Sequence, residues 1–174
     1  MAWGIIGYNY KSPLYRFDLQ ACAPPLRYHL QRPLRETPAN GINGPKFAEW
    51  IIRGPLIEAA RTFTNQGRLP IVMEDNSHVH NNEYCDLTRR DLGYRRLFHP
   101  PYSPDLNPIE NAWSELQGRL AHFPVHARNR DVLWGQADSA WEAIPMSYIN
   151  TLVDSIPRRS EAIEGGSSCT RRGD

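Results

Sequence analysis

The sequence predicts an α/β fold, a mixed sheet flanked by helices. Three observations carry that reading. The chain opens on two short apolar runs around a polar turn, Leu69 to Val72 forms a compact apolar run that ends in carboxylates, and several capped amphipathic stripes follow the helical period. At 174 residues the chain is long enough to bury one sizeable core.

The elements follow in order. Trp3-Gly4-Ile5-Ile6-Gly7-Tyr8 reads as a strand, Asn9-Tyr10-Lys11-Ser12 as a turn and Pro13-Leu14-Tyr15-Arg16-Phe17 as a second strand, so a hairpin is expected. Residues 20–37 are rich in Pro and Arg without a period and read as a loop or insertion. Asn43-Gly44-Pro45 starts a helix, because proline lacks the N–H that a first turn leaves unpaired anyway. Phe47, Trp50 and Ile51 carry its apolar stripe, Pro55 should kink or break it, Leu56, Ala59, Ala60 and Phe63 continue it, and Gly67 closes it.

Leu69-Pro70-Ile71-Val72-Met73-Glu74-Asp75 then reads as a buried strand that delivers Asp75 at its C-terminal edge, where open α/β sheets bind ligands. A helix over 82–92 is stopped by Gly93, and 94–99 reads as a strand. The clearest helix begins at Asn107, with Pro108 in its first position and Ile109, Ala112, Trp113, Leu116 and Leu120 on one face. Two more helices are expected near 130–143 and 147–155, and a disordered tail from Gly165.

Composition narrows the class. With 20 basic and 19 acidic residues the formal net charge is +1, so charge alone does not mark a nucleic-acid binder. Cys22, Cys85 and Cys169 are odd in number and widely spaced, which argues against a disulfide framework or zinc ribbon and fits a reducing compartment. No apolar run approaches the ~20 residues that a bilayer span needs. No basic stretch leads into an apolar one at the N-terminus, so no signal peptide is expected.

Two carboxylates stand out by position. Asp75 ends the apolar strand, and Glu110 lies in the first turn of the Asn107 helix, with 34 residues between them. Hydrolysis of a phosphodiester by a two-metal site needs hard oxygen ligands gathered from separate elements around ions ~3.5–4 Å apart. A strand-end Asp and a helix Glu facing one cleft would supply them. Plainer roles stand beside this one. Glu110 could close a capping box with Asn107, a contribution on the order of 1 kcal/mol, and Asp75 could simply begin a loop. His78, His80, Cys85 and His99 can bind metals but match no zinc spacing. The pairs Arg89-Arg90, Arg95-Arg96 and Arg158-Arg159 could meet phosphates or form solvated faces. No GxSxG elbow is present.

Met73-Glu74-Asp75-Asn76, with His80 shortly after, resembles the segment around the second acidic residue of mariner-type transposases of the DDE superfamily. His99-Pro100-Pro101-Tyr102-Ser103-Pro104-Asp105-Leu106-Asn107-Pro108-Ile109-Glu110-Asn111-Ala112-Trp113 resembles the segment around their third, and Pro-Asp-Leu-Asn-Pro-Ile-Glu-Asn is hard to obtain by chance. Weaker similarity reaches Ala2-Trp3-Gly4, Lys11-Ser12-Pro13-Leu14 and Ile156-Pro157-Arg158-Arg159.

The resemblance implies a ribonuclease-H-like mixed sheet flanked by helices. It implies an acidic triad in which Asp75 is the second member and Glu110 the third, both catalytic and both metal-binding, with Mg²⁺ or Mn²⁺ as cofactor. It also implies DNA as partner, both transposon ends and target, no membrane, the nucleus as location in a eukaryote (otherwise the cytoplasm), and a homodimer as an option for the full-length family. The first triad member normally precedes the Trp-Gly segment, which here starts at the N-terminus. The expectation is therefore a catalytic domain over 1–164, truncated at its first strand, with a tail over 165–174, and inactive by itself. Asp18 is too close to the sheet edge to substitute, and Glu74 alternates to the opposite face from Asp75. The alternative is a non-catalytic remnant or domesticated module that binds nucleic acid or protein.

Overall fold

The computed structural model describes residues 2–17, 27–34, 41–75, 77–97, 103, 106–124 and 127–159. They form two compact units: Met1–Trp3 with Tyr15–Ser103, and Gly4–Leu14 with Pro104–Asp174.

The opening residues form the expected hairpin-like ladders. Strand β1 (Ala2–Trp3) pairs antiparallel with β4 (Tyr15–Arg16), and β2 (Ile6–Gly7) with β3 (Tyr10–Lys11). Gly7 lies opposite Tyr10, so the turn is Tyr8-Asn9, earlier than the expected Asn9–Ser12. A two-residue loop requires left-handed backbone, and Asn9 adopts it at φ 56° because its short polar side chain tolerates that region.

In the first unit, helix α1 (Gly44–Phe47) starts as the sequence predicts. The Asn43 side chain accepts a hydrogen bond from the Lys46 backbone N–H at 3.0 Å, and proline occupies the first turn. The helix runs on as wide π-type turns over Ala48–Leu56 and resumes as α2 (Ile57–Asn65). The break falls at Gly54, whose φ of −104° and ψ of −112° leave the helical region. Pro55 explains it: the ring crowds the preceding residue out of the α region and removes a helical donor. Gly67, at φ 73°, ends the element as expected.

Strand β5 (Ile71–Val72) runs parallel to β6 (Arg95–Arg96), with α3 (Glu83–Leu92) in the crossover between them. Asn82 caps α3, accepting from the Cys85 N–H at 3.1 Å, and Gly93 closes it at φ 70°. The core packs Phe47, Ile51, Ile52 and Leu56 with Tyr84 and Cys85. One expectation fails. The run into Asp75 is not a buried strand: Leu69 is 71 % and Ile71 52 % exposed, and the buried residue is Glu74. Among the described residues β5 pairs with β6 alone, and Leu69 and Ile71 remain exposed beside it.

Within the Pro/Arg-rich loop, residues 27–34 are irregular yet tied down. The Glu83 carboxylate accepts the backbone N–H groups of Gln31 and Arg32 at 2.9–3.0 Å, and the Tyr28 ring meets Tyr84 edge-on at 5.0 Å.

The second unit joins β2 and β3 to helices α4 (Pro108–Ala121), α5 (Arg130–Glu142) and α6 (Met146–Asp154), as the apolar stripes predict. Its core gathers Leu14, Ala112, Leu116, Ala140, Trp141, Ile144, Ile149 and Leu152. Trp141 is fully buried, stacks on Trp113 at 5.0 Å and donates its indole N–H to the Ser12 carbonyl at 2.8 Å. Lys11 Nζ donates to the Trp141, Glu142 and Ile144 carbonyls at 2.7–2.9 Å, which places a cation at the C-terminal end of α5. The similarity around Lys11-Ser12-Pro13-Leu14 therefore has a packing role. No helix among the described residues is long and apolar enough to cross a membrane.

Candidate active site

Asp75 lies just beyond β5 in the first unit, with its side chain 48 % exposed. Two donors converge on one oxygen: the Ser77 backbone N–H reaches Oδ1 at 3.0 Å and His80 Nδ1 at 2.6 Å. A carboxylate only accepts, so Nδ1 carries the imidazole proton. The His80 hydrogen bond holds the Asp75 carboxyl well below the ordinary carboxylate range, outweighing the burial that would raise it, and the Ser77 N–H assists. Asp75 is thus an ionised, half-open oxygen donor at neutral pH.

Its neighbour Glu74, also beyond the end of β5, makes a separate set of contacts. The Glu74 carboxylate is buried, with Oε2 2.8 Å from Arg89 Nη2 and 3.6 Å from Arg96 Nε. Arg89 also pairs with Asp86 at 2.8 Å. Burial alone would weaken the Arg89 charge, but Glu74 and the other neighbours outweigh it and raise its pKa. Arg96 Nη2 donates to the Asp75 carbonyl at 2.6 Å, which pins the backbone where the candidate carboxylate leaves the strand. The expectation for the arginine pairs needs correction here. Arg89 is neither solvated nor open to phosphate, because the buried Glu74 would otherwise be an uncompensated charge. Arg90 and Arg95 are exposed.

Glu110 belongs to the second unit, in the first turn of α4 and partly buried. The Asn107 side chain makes no capping hydrogen bond, so its half of the reciprocal capping box is not formed; only its carbonyl engages, accepting the Glu110 N–H at 3.1 Å. Asp75 lies three residues beyond the end of β5, and Glu110 lies in the first turn of α4. They lie in different units, and neither unit alone contains both.

Of the remaining candidates, His80 is used by Asp75, and Cys85 is buried, with burial pushing its thiol up to about 11. It stays protonated and unreactive at neutral pH. Among the described residues no three His, Cys, Asp or Glu side chains gather into a metal-holding group. His99, Asp18, Asn76, Asp105 and the tail from Gly165 lie outside the described residues. Sequence reasoning missed Phe47 and Arg96 as supports of the site. Phe47 packs on the His80 ring at 4.3 Å across 33 residues of chain, a contact without a local signal. A cleft of about 590 Å³ in the second unit, lined by Glu115, Arg119, His122 and Phe123, contains neither candidate carboxylate.

Comparison with known proteins bears on this arrangement. Residues 37–132 match the family described as DDE superfamily endonuclease. The Transposable element Tc1 transposase of Caenorhabditis elegans is 43 % identical over 103 residues, covering 57 % of this chain and 36 % of that protein. The chain thus spans about a third of the length of that curated relative. Among solved structures, the Mos1 transposase catalytic domain with raltegravir and Mg aligns with a TM-score of 0.64 at 18 % identity, over 75 % of this chain and 65 % of that one. The Mos1 mariner paired end complex with Mn aligns at 0.62 and 20 % identity, over 74 % and 38 %. The fold is that of these catalytic domains, ribonuclease-H-like, with helices and short strands. The chain belongs to the DDE superfamily endonuclease family.

Proposed function

We propose that this chain supplies the acidic centre of a metal-dependent DNA cleavage and strand-transfer reaction at transposon ends, with Asp75 and Glu110 as its catalytic, metal-holding carboxylates. The observation that carries the reading is Asp75 itself. It is held ionised and half-open by His80 and Ser77, while the adjacent Glu74 is buried in ion pairs. The donor chemistry fits Mg²⁺ or Mn²⁺, which prefer hard carboxylate oxygens, and the Mos1 neighbours were solved with those ions. When bound, such an ion supplies Lewis-acid polarisation of a phosphoryl oxygen and a more acidic water. The chain's own residues hold the geometry: Arg96 fixes the Asp75 backbone, His80 its carboxylate, and the exposed Arg90 and Arg95 are placed to attract phosphate. DNA is the proposed partner, and the nucleus of a eukaryotic host the proposed location.

The 174-residue chain alone is expected not to cut, because two carboxylates leave the two-metal clamp without its shared ligand. The test incubates the chain with Mg²⁺ or Mn²⁺ and a labelled transposon-end duplex. A second protein, a fusion, joins it to the corresponding upstream part of a Tc1-type relative. Cleavage should appear only with the fusion and vanish with Asp75→Ala or Glu110→Ala. Cutting that survives both substitutions overturns the assignment. The alternative is a non-catalytic binding role. Duplex binding without cutting by either protein would establish it.

A further inference from the structure

We propose that His80 is a positioning residue for Asp75, locking Oδ1 so that the carboxylate presents Oδ2 to the metal. The inference rests on Asp75 being a metal ligand. An aspartate just beyond a strand end can rotate about two side-chain bonds, and its two oxygens are then interchangeable. Here the two shortest hydrogen bonds to the carboxylate land on Oδ1, from the Ser77 N–H at 3.0 Å and from His80 Nδ1 at 2.6 Å, and the Ser77 side chain adds a weaker contact to the group.

The ring that makes the shorter bond is itself fixed on several sides. Its face packs on Phe47 at 4.3 Å between centroids, and Phe47 is 1 % exposed. The His80 backbone N–H donates to the Ser77 carbonyl at 3.0 Å, and its carbonyl accepts from the buried Arg89 at 2.8 Å. Arg96 holds the Asp75 carbonyl at 2.6 Å. Neither the donor nor the backbone of the acceptor can drift, so the carboxylate plane is set before an ion arrives. A ligand held in this way loses less freedom on binding. Removal of a hydrogen-bonding partner behind a metal ligand typically weakens metal affinity about 10–100-fold.

Two substitutions separate the two things that His80 offers. His80→Phe keeps a ring on Phe47 and removes the donor. His80→Asn removes the ring and keeps an N–H donor near the position of Nδ1. Mn²⁺ is titrated into the 174-residue chain, free ion is read by electron paramagnetic resonance, and folding is followed by thermal melts. Asp75→Asn is the control. We expect His80→Phe to weaken Mn²⁺ binding about 10–100-fold at a nearly unchanged Tm. His80→Asn should retain most of the affinity while losing stability. If His80→Phe binds Mn²⁺ like the parent while Asp75→Asn does not, the positioning role is wrong and the ligand assignment stands. If His80→Asn loses as much affinity as His80→Phe, an N–H donor at that position does not suffice to position the carboxylate, and the proposal is again overturned. If Asp75→Asn leaves Mn²⁺ binding unchanged, the underlying reading of Asp75 fails instead.

Discussion

Gly44 has no space for even a methyl group. A Cβ built there would lie 2.4–2.6 Å from the amide atoms of Asn82. An amide at the end of a side chain can often swing aside, but this one is committed. Its nitrogen donates to the His78 and Val79 carbonyls at 3.1 and 2.8 Å, and its oxygen accepts the Cys85 N–H that caps α3. Gly44 and Asn82 thus lock the starts of α1 and α3 together, and through Phe47 they brace the His80 ring. Overpacking of a filled site costs about 1–3 kcal/mol. Gly44→Ala should therefore lower the Tm by several degrees, at roughly 2–4 °C per kcal/mol for a chain of this size. Asn82→Ala removes the cap and costs about 1 kcal/mol alone. It also makes room, so the double substitution should cost less than the two singles together. Strict additivity in thermal melts would show that Gly44 and Asn82 do not interact as described.

At the scale of elements, Lys11 does for α5 what no neighbour in sequence can do. Its ammonium donates to three carbonyls at the end of the helix, where the last turn leaves acceptors unpaired and the dipole favours a cation. Burial lowers its pKa, with Glu142 opposing that shift. Lys11→Met keeps much of the stem and removes the donors, so it should destabilise by about 1–2 kcal/mol, seen as a lower denaturation midpoint at unchanged slope. An unchanged midpoint would mean that water replaces the ammonium at no cost. The same contact shows which parts of the fold were legible in the sequence. The helix starts near Asn43 and Asn82, the break at Pro55 and the stop at Gly93 depend on residues within a turn of one another, and all were readable. Lys11 meets α5 from 130 residues away, and Phe47 meets His80 from another element. Such contacts leave no local pattern. The position of Asp75 was readable because an apolar run ends there. The exposure of Leu69 and Ile71 was not, because it depends on what lies beside the strand.

For the whole molecule, the exposed apolar residues around the β5–β6 ladder set the behaviour in solution. Leu69, Ile71 and Leu97 are 71 %, 52 % and 38 % exposed, and β5 is paired on one side alone among the described residues. A short ladder with apolar side chains in water and a strand with one partner is a template for pairing with another chain. Nothing in the formal net charge of +1 opposes such association. The chain should therefore self-associate as concentration rises. Because these side chains bury little, Leu69→Ser together with Ile71→Thr should leave stability within about ±0.5 kcal/mol per site. Threonine keeps the β-branched shape that strands favour, so the ladder has no reason to open. Light scattering coupled to size exclusion, over a concentration series, reads the outcome. The double variant should remain monomeric where the parent forms larger species, with closely matching thermal melts. A marked loss of stability would show that Leu69 and Ile71 are covered in solution, and equal association of both proteins would place the sticky surface elsewhere.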